Sequence, residues 1–278
     1  MTQSRAFWRA AEAIHDVVYF APDARERFEA VGLKGFWMGY VASRSAALGT
    51  PSATTVTALF HGFSPALIGR ALPDAWSLAG RDDILATRLQ LARDVLTPAL
   101  DGADTDKIAR ELTRITQGLD FAGKPLAAAH LDLPAPDDVV GQIWHAATVI
   151  REYRGDCHVA VLTAAGLDGA TANALAAAAG LVPADQRERR GWTEDQWSAA
   201  FGRLGTRGWV DVSGQITDTG RAARAQIEDT TDRVCAAGFV QEATGRAISI
   251  EAAIVSVART IEQLGAVPYP NPVGVPRP

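Results

Sequence analysis

The stretch RLGTRGWVDVSGQITDTGRAARAQIEDTTDRV, residues 203–234, decides the fold predicted for the C-terminal half of the chain. It begins as a helix and reaches Gly208, after which a short apolar run precedes a turn at Ser213 and Gly214. A turn dipeptide of this kind between two short apolar runs is typical of a β-hairpin. The second run leads into a long helix that begins near Thr219. The stretch therefore predicts helix, strand, turn, strand and helix, in that order.

Length and composition are those of a globular protein with a full apolar core. The chain has 278 residues, of which 47% are hydrophobic and 21% charged. Strand-like alternation is scarce elsewhere, so we expect a mainly α-helical protein. We see no signal-peptide pattern and no apolar run approaching the ~18–20 residues of a membrane span. Cys157 and Cys235 form no CxxC pair, which favours a cytoplasmic protein. Because the sequence has no apolar run of spanning length, we expect no membrane partner.

Several helix boundaries carry local capping signals. Ser64 is followed by Pro65, the arrangement of an N-cap and a first helical residue. Asp168 and Gly180 bracket DGATANALAAAAG as cap and stop. Thr193 and Gln196 have the spacing of a capping box. These signals predict helices that begin near residues 65, 169 and 194.

The hairpin stretch resembles the MarR-like winged-helix family, in which a comparable motif, RGxx…DG…ITDxGR, closes the domain. Residues 207–221 carry RGW and ITDTGR at the ends of that pattern. With GFWMGY (35–40) and RGDCH (154–158), the chain also resembles a large actinobacterial group of two-domain proteins. The resemblance implies a fold more than an activity. It implies a mainly α fold of tandem winged-helix-like domains with short β-wings.

The two halves of the chain also resemble each other weakly. Residues 40–52 align without a gap on residues 158–170, so that Val41 matches Val159. A tandem duplication would explain this and would place a cleft between two like domains. Alanine-rich helices also match by chance, and this alternative stays open. From the Gly- and Pro-containing linker we expect three segments: an N-terminal helical winged-helix-like domain 1–125, a C-terminal MarR-like domain 126–265 and a proline-rich tail 266–278.

The resemblance implies DNA binding, but the residues do not favour it. A MarR-like recognition helix enters the major groove, and we expect that position near residues 168–180. Thr171 and Asn173 are its main side chains able to read bases. The wing tip lacks Arg and Lys, the basic run DQRERRGW (185–192) is expected to be a solvated loop, and the net charge is −5. Proteins that bind DNA through its phosphates usually present a basic surface.

Known catalytic motifs are missing, and we expect no cofactor and no metal. The chain has no P-loop, no dinucleotide fingerprint and no HExxH. HGFSPA (61–66) resembles a nucleophile elbow, but Pro65 after Ser64 lacks the N–H that an oxyanion hole requires. His145, Glu152 and His158 form the one alternative metal set that the spacing permits.

A second stretch, VIREYRGDCHVAVL (149–162), concentrates charge between apolar segments. Its ionisable residues are Arg151, Glu152, Arg154, Asp156 and His158. We expect a helix to end at Gly155 and Asp156 to cap the next helix, which places these charges at a corner. They are then either caps and surface pairs, or a site in which guanidiniums grip an anion and His158 serves as a base.

Trp37, Tyr40 and Arg44 recur at helical spacing in the first half. If the duplication is real, they face the charged corner across the cleft, and otherwise the aromatic residues are core. We therefore favour a protein that binds a small anionic or aromatic organic molecule between its two halves. The alternatives are a MarR-like ligand-responsive regulator of transcription and an enzyme that uses His158 with Asp156 or Glu152 as acid and base. The predicted ligand-binding residues are Arg151, Arg154, Asp156, His158, His145, Glu152, Trp37, Tyr40 and Arg44. Ligand identity and oligomeric state do not follow from the sequence.

Overall fold

The protein is mainly α-helical, as predicted, and no strand is present in the part of the chain that the structure describes. The computed structural model describes residues 5–271 and residue 277. The helices are α1 (Arg5–Phe20), α2 (Ala24–Ala30), α3 (Gly35–Ser45), α4 (Ala53–Leu59), α5 (Pro65–Ala71), α6 (Asp74–Leu78), α7 (Arg81–Ala99), α8 (Thr105–Gln117), α9 (Pro125–Leu131), α10 (Val139–Ala164), α11 (Gly169–Ala178), α12 (Gln186–Arg189), α13 (Glu194–Thr206), α14 (Asp218–Ala237) and α15 (Gln241–Gln263). A 3₁₀ turn spans Ala46–Leu48.

The predicted β-wing is reduced to a short turn between α13 and α14. Val210 and Ile216 form an isolated antiparallel bridge, and the amide of Asp211 donates to the carbonyl of Gln215 at 2.9 Å. The segment is too short for a strand ladder, because Thr217 already caps α14 by accepting from the amide of Gly220 at 3.0 Å. Paired winged domains with β-strands are therefore not seen in the described residues.

Buried apolar side chains form two separate clusters. The larger one contains residues from Phe7 to Cys157 and again from Cys235 to Val267. We call residues 5–157 and 235–271 the body. The smaller cluster runs from Val161 to Ile227, and we call residues 158–234 the module. The chain thus leaves the body in α10, builds the module and returns to the body in α14.

The predicted domains 1–125 and 126–265 do not follow this grouping and remain a prediction. Leu126 and Ala127, just past the predicted boundary, belong to the larger cluster. The tail predicted at 266–278 begins inside the body, where Ala266 and Val267 are buried. Residues 272–276 and 278 of that tail lie outside the described residues.

α10 connects the two clusters as one continuous helix of 26 residues. Its side chains up to Cys157 pack in the body, whereas Val161 and Leu162 pack in the module. The expected helix end at Gly155 is wrong, because Gly155 lies inside α10. Glycine lowers helix stability by only about 1 kcal/mol, and burial of the flanking turns on both sides outweighs that cost.

Packing within the body places α1 at its centre. α1 contacts α15, α10 and α7, and its buried side chains include Phe7, Ile14 and Val18. No single helix among those described is long and apolar enough to cross a membrane. The sharply bent pair of α10 and α11 meets the same criteria jointly, by length and composition alone.

Candidate ligand-binding cleft

A cleft of about 430 Å³ lies between the body and the module. Its lining includes seven arginines: Arg5, Arg9, Arg44, Arg151, Arg154, Arg190 and Arg224. Three carboxylates also line it, from Glu12, Asp156 and Glu228, together with His61 and His158. Apolar residues complete the lining and include Leu59, Phe60, Phe63, Val159, Leu162 and Leu181. Arginines therefore outnumber carboxylates among the lining side chains, and the cleft also has an apolar part.

Glu152 lies fully buried beside this cleft and binds two of its arginines. Arg44 donates to both carboxylate oxygens, at 2.9 and 2.8 Å, and Nη1 of Arg151 donates at 2.8 Å. Arg151 also donates from Nε to Glu12 at 3.1 Å. Burial opposes ionisation of Glu152, but the charges of Arg151 and Arg44 outweigh it and hold the pKa of Glu152 well below its usual range. The structure therefore commits Glu152 to arginines rather than to His158.

Arg154 extends the same charged network from α10 to α14. Its Nη2 donates to Glu228 at 2.9 Å and to Asp232 at 3.0 Å. Asp232 also accepts from Nε of Arg5 at 2.7 Å, so α1, α10 and α14 meet at one carboxylate. Arg154, which was expected to neutralise a helix C-terminus, thus forms half-buried ion pairs between helices. These pairs link the body to the part of α14 that belongs to the module.

Asp156 caps a helix, but not the one that the sequence suggested. Its Oδ2 accepts from the amides of Leu126 and Ala127, each at 3.0 Å. These amides open α9, whose own N-cap residue, Lys124, supplies no side-chain hydrogen bond. Asp156 therefore satisfies free N–H groups of α9 from the middle of α10. Burial raises the pKa of Asp156 to about 6 although both hydrogen bonds act in the opposite direction.

His158 lines the cleft without touching either predicted carboxylate partner. Its Nδ1 lies 3.0 Å from Oγ1 of Thr231 on α14. Burial lowers the pKa of His158 to about 4, so the imidazole is neutral at physiological pH. An acid–base pair of His158 with Asp156 or Glu152 is not formed.

The predicted aromatic wall lies behind the cleft rather than on it. Trp37 and Tyr40 pack against Phe63, with ring centroids 5.8 and 5.4 Å apart. Trp8, Phe60 and Phe63 are aromatic residues that do line the cleft. Arg44, the third member of the predicted wall, does line it, with its guanidinium carbon 4.3 Å above the ring of Phe60. Sequence reasoning therefore missed Trp8 on α1 and the two aromatic residues near the HGFSPA motif.

His145 is the predicted site residue that lies elsewhere. It does not line the cleft, and its Nε2 donates to the carbonyl of His130 at 2.7 Å. It therefore does not join Glu152 and His158 in a ligand set. Among the described residues no group of three or more His, Cys, Asp or Glu side chains is arranged to hold a metal ion.

Arg190 is a cleft residue that the sequence placed in a solvated loop. It is buried, and its guanidinium carbon lies 4.2 Å above the ring of Phe63. Burial lowers the pKa of Arg190 to about 10. The backbone explains its position, because the carbonyl of Arg190 accepts from the amide of Ser64 at 2.9 Å and joins the module to the body. No local signal reveals this contact, since the two residues are far apart in the sequence.

The module contains a packed helix pair followed by the short turn. α11 packs against α13, and the bridge between Val210 and Ile216 comes directly after α13. In a helix-turn-helix unit the second helix of the pair is the recognition helix. α13 is the second helix of this pair, whereas the recognition helix was expected at residues 168–180. The helix predicted there does form, as α11, with Asp168 as its N-cap.

A family model described as a helix-turn-helix family matches residues 4–268. The chain belongs to this helix-turn-helix family. No curated protein and no solved structure matches it significantly. The match extends over the body as well as the module.

The exposed face of α13 in this helix-turn-helix protein is not basic. Its first turn carries Glu194 and Asp195, both exposed. The one cation of α13, Arg203, donates to Asp168 and Thr171 of α11. Direct readout of bases relies on Arg, Lys, Asn or Gln side chains that are free to reach the groove. This face therefore offers little of the chemistry that recognises DNA.

Proposed function

We propose that this helix-turn-helix protein binds a small organic anion in the cleft between its body and its module. The observation that carries the proposal is the excess of arginines over carboxylates in the cleft, next to an apolar lining. A guanidinium binds carboxylate or phosphate through two parallel hydrogen bonds. The apolar side chains would receive the carbon skeleton of the ligand, as in most small-molecule sites.

The arginines of the cleft differ in how far they are already engaged. Arg44, Arg151 and Arg154 donate to carboxylates and would act on a ligand mainly through their field. Arg9 is exposed on α1 and has no carboxylate partner within the described part of the chain. Arg9 is therefore the cation best able to reach a ligand directly. We propose that the predicted ligand-binding arginines on α10 act on the ligand through their charge rather than through direct hydrogen bonds.

Calorimetric titration with benzoate, phenyl phosphate and inorganic phosphate tests the proposal. We expect the organic anions to bind more tightly than inorganic phosphate, because only they fill the apolar part of the cleft. Arg9→Gln should weaken binding about tenfold, the effect of losing one charge-assisted hydrogen bond. The matched control is Arg259→Gln, an exposed arginine on α15 that lies outside the cleft. Equal loss in both variants, or no binding by the native protein, would overturn the proposal.

As a second function we propose a MarR-like regulator whose ligand controls DNA binding; the family match supports only its helix-turn-helix character. We propose the module as its winged-helix unit, with α11 and α13 as the helix pair and residues 209–217 as a minimal wing. The predicted second copy within residues 1–125 stays a proposal. The acidic first turn of α13 argues against groove contact. Fluorescence anisotropy with random and genomic duplexes at low salt separates the two functions, since a regulator binds and a ligand carrier does not.

A further inference from the structure

The hydrogen bonds around Thr231 fix the proton position on His158. Oγ1 of Thr231 lies 2.9 Å from the carbonyl of Ile227 and 3.0 Å from Nδ1 of His158. A carbonyl only accepts, so the hydroxyl hydrogen of Thr231 points to Ile227. Nδ1 of His158 is then the donor to the same hydroxyl oxygen. The neutral imidazole has one hydrogen only, which leaves a lone pair on Nε2.

Nε2 is the nitrogen of His158 that remains for a ligand. The Nδ1 edge is covered by Thr231, which is fully buried on α14, while the side chain itself lines the cleft. Burial keeps His158 neutral, with Arg154, Arg224 and His61 acting in the same direction and Glu228 against it. An acceptor nitrogen therefore stands in a cleft whose other polar side chains are mainly guanidinium donors.

His61, on the body side of the cleft, also has a nitrogen that can only accept, although this atom is buried. Its Nε2 lies 3.1 Å from the carbonyl of Leu167 and must donate to it. Its Nδ1 is left with a lone pair and has no hydrogen-bond partner. Burial lowers the pKa of His61 as well. The carboxylates of Glu12 and Glu228, by contrast, are already engaged by arginines.

We infer that the ligand carries a hydroxyl or N–H group in addition to its anionic group, and that this group donates to Nε2 of His158. The ligand class is thus a hydroxylated or amino-substituted organic acid. The inference rests on the proposed function, because it concerns the same cleft. It also requires the donor group and the anionic group to lie at different positions on the ligand. The reason is that the arginines and His158 approach the cleft from different turns of α10 and from α1.

A matched ligand series tests the inference separately from the proposed function. The native protein is titrated with benzoate and with its three monohydroxy isomers. We expect at least one isomer to bind about tenfold more tightly than benzoate, the effect of one hydrogen bond to a partner that is otherwise unsatisfied. In His158→Phe the hydroxybenzoates should bind no more tightly than benzoate. Equal binding of all four acids to the native protein overturns the inference and leaves the proposed function standing.

A spectroscopic measurement tests the tautomer of His158 on which the inference depends, even if no benzoate binds. The protein is labelled with ¹⁵N-histidine, and the resonances of His158 are assigned by comparison with His158→Phe. We expect a neutral imidazole with Nδ1 protonated and Nε2 unprotonated at pH 7. Thr231→Val, which removes the hydroxyl that receives the Nδ1 hydrogen, should shift the tautomer balance toward Nε2–H. A native His158 protonated on Nε2 would overturn the inference, whereas absent benzoate binding alone counts against the proposed function.

Discussion

At the scale of single residues, the charges of the 149–162 stretch are explained by partners far away in the sequence. Arg151 and Glu152 could be read as surface pairs because a sequence shows only neighbours along the chain. The structure adds Arg44, which lies 108 residues from Glu152 and binds it with two hydrogen bonds. Local patterns cannot reveal such a pairing, so the site residues were predictable by type and the contacts between them were not.

Glu152→Gln should lower the free energy of unfolding by about 3–5 kcal/mol, the usual cost of removing one partner from a buried ion pair. The substitution leaves Arg44 and Arg151 facing a neutral amide at the fully buried position of Glu152. Urea denaturation at pH 7 measures the change. Glu26→Gln, at an exposed position on α2, serves as control and should change stability by less than about 0.5 kcal/mol. Similar values for both variants would show that the buried pair does not stabilise the fold.

Asp16→Asn should stabilise the protein increasingly as pH rises. Asp16 is fully buried and neither carboxylate oxygen has a hydrogen-bond partner. Burial, assisted by the charge of Glu12, raises its pKa well above the usual value. Between the unfolded pKa and the folded pKa, the native state holds a proton that the unfolded state has lost, so native stability falls as pH rises. Asparagine cannot ionise and avoids that loss.

Thermal unfolding between pH 4 and pH 8 measures this difference. The two proteins should melt at similar temperatures near pH 4, and the variant should melt higher at pH 8. Asp101→Asn, at an exposed loop position, is the control and should show a difference that does not change with pH. A constant difference for Asp16→Asn as well would mean that the carboxylate is already ionised in the folded protein.

At the scale of helices, local sequence signals predicted correctly where three helices begin. The helix end that was predicted at Gly155 was wrong. The N-caps Ser64 and Asp168 accept the expected amides, and Thr193 with Gln196 forms the predicted capping box. These signals succeed because a cap and the amide it satisfies lie within three residues of each other. The end predicted at Gly155 failed because burial on both sides of α10 decides whether the helix continues, and burial is a property of the folded chain.

Asp156→Ala should lower the free energy of unfolding by about 1 kcal/mol, the typical cost of a lost N-cap. The amides of Leu126 and Ala127 would lose their acceptor at the buried start of α9.

Asp156→Asn is the informative comparison, because its side-chain oxygen can accept both hydrogen bonds. It should match the native protein near pH 5 and exceed it above pH 6, since burial raises the pKa of Asp156 to about 6 and ionisation of the native carboxylate then costs stability. Chemical denaturation of the three proteins at pH 5 and pH 7 measures this. A destabilised Asp156→Asn would show that the negative charge, rather than the hydrogen bonds, holds α9.

At the scale of the whole molecule, the sequence indicated a cleft between two units but not which residues form the units. The body contains both ends of the described chain, and the module is inserted between Cys157 and Cys235. Hydrophobic periodicity predicts that a helix has a buried face and is silent about the cluster in which that face is buried. Arg9 on α1 and Arg190 in the loop after α12 therefore line the cleft, although neither was among the predicted residues.

The contact of the module with the segment around His61 fixes the shape of the cleft, and Gly169 is where the two approach most closely. A Cβ at this position would lie 1.9 Å from the carbonyl oxygen of His61. The side-chain amide of Asn173, one turn further along α11, donates from Nδ2 to the carbonyl of Gly62 at 2.8 Å. Gly169→Ala must therefore push α11 away from the body or distort the segment, and both changes alter the cleft. A steric clash of this kind typically costs about 1–3 kcal/mol.

We expect Gly169→Ala to lower the melting temperature and to weaken anion binding, because the module is displaced from one side of the cleft. Gly202→Ala, within α13, is the matched control, since nothing lies within 4 Å of its added Cβ. Alanine is the better helix former by about 1 kcal/mol, so the control should melt at the same or a higher temperature and bind unchanged. Amide hydrogen exchange in α11 locates the effect, with faster exchange expected in Gly169→Ala alone. If Gly169→Ala loses stability but binds the anion normally, then the position of the module does not determine the binding site, and the ligand contacts must come from the body alone.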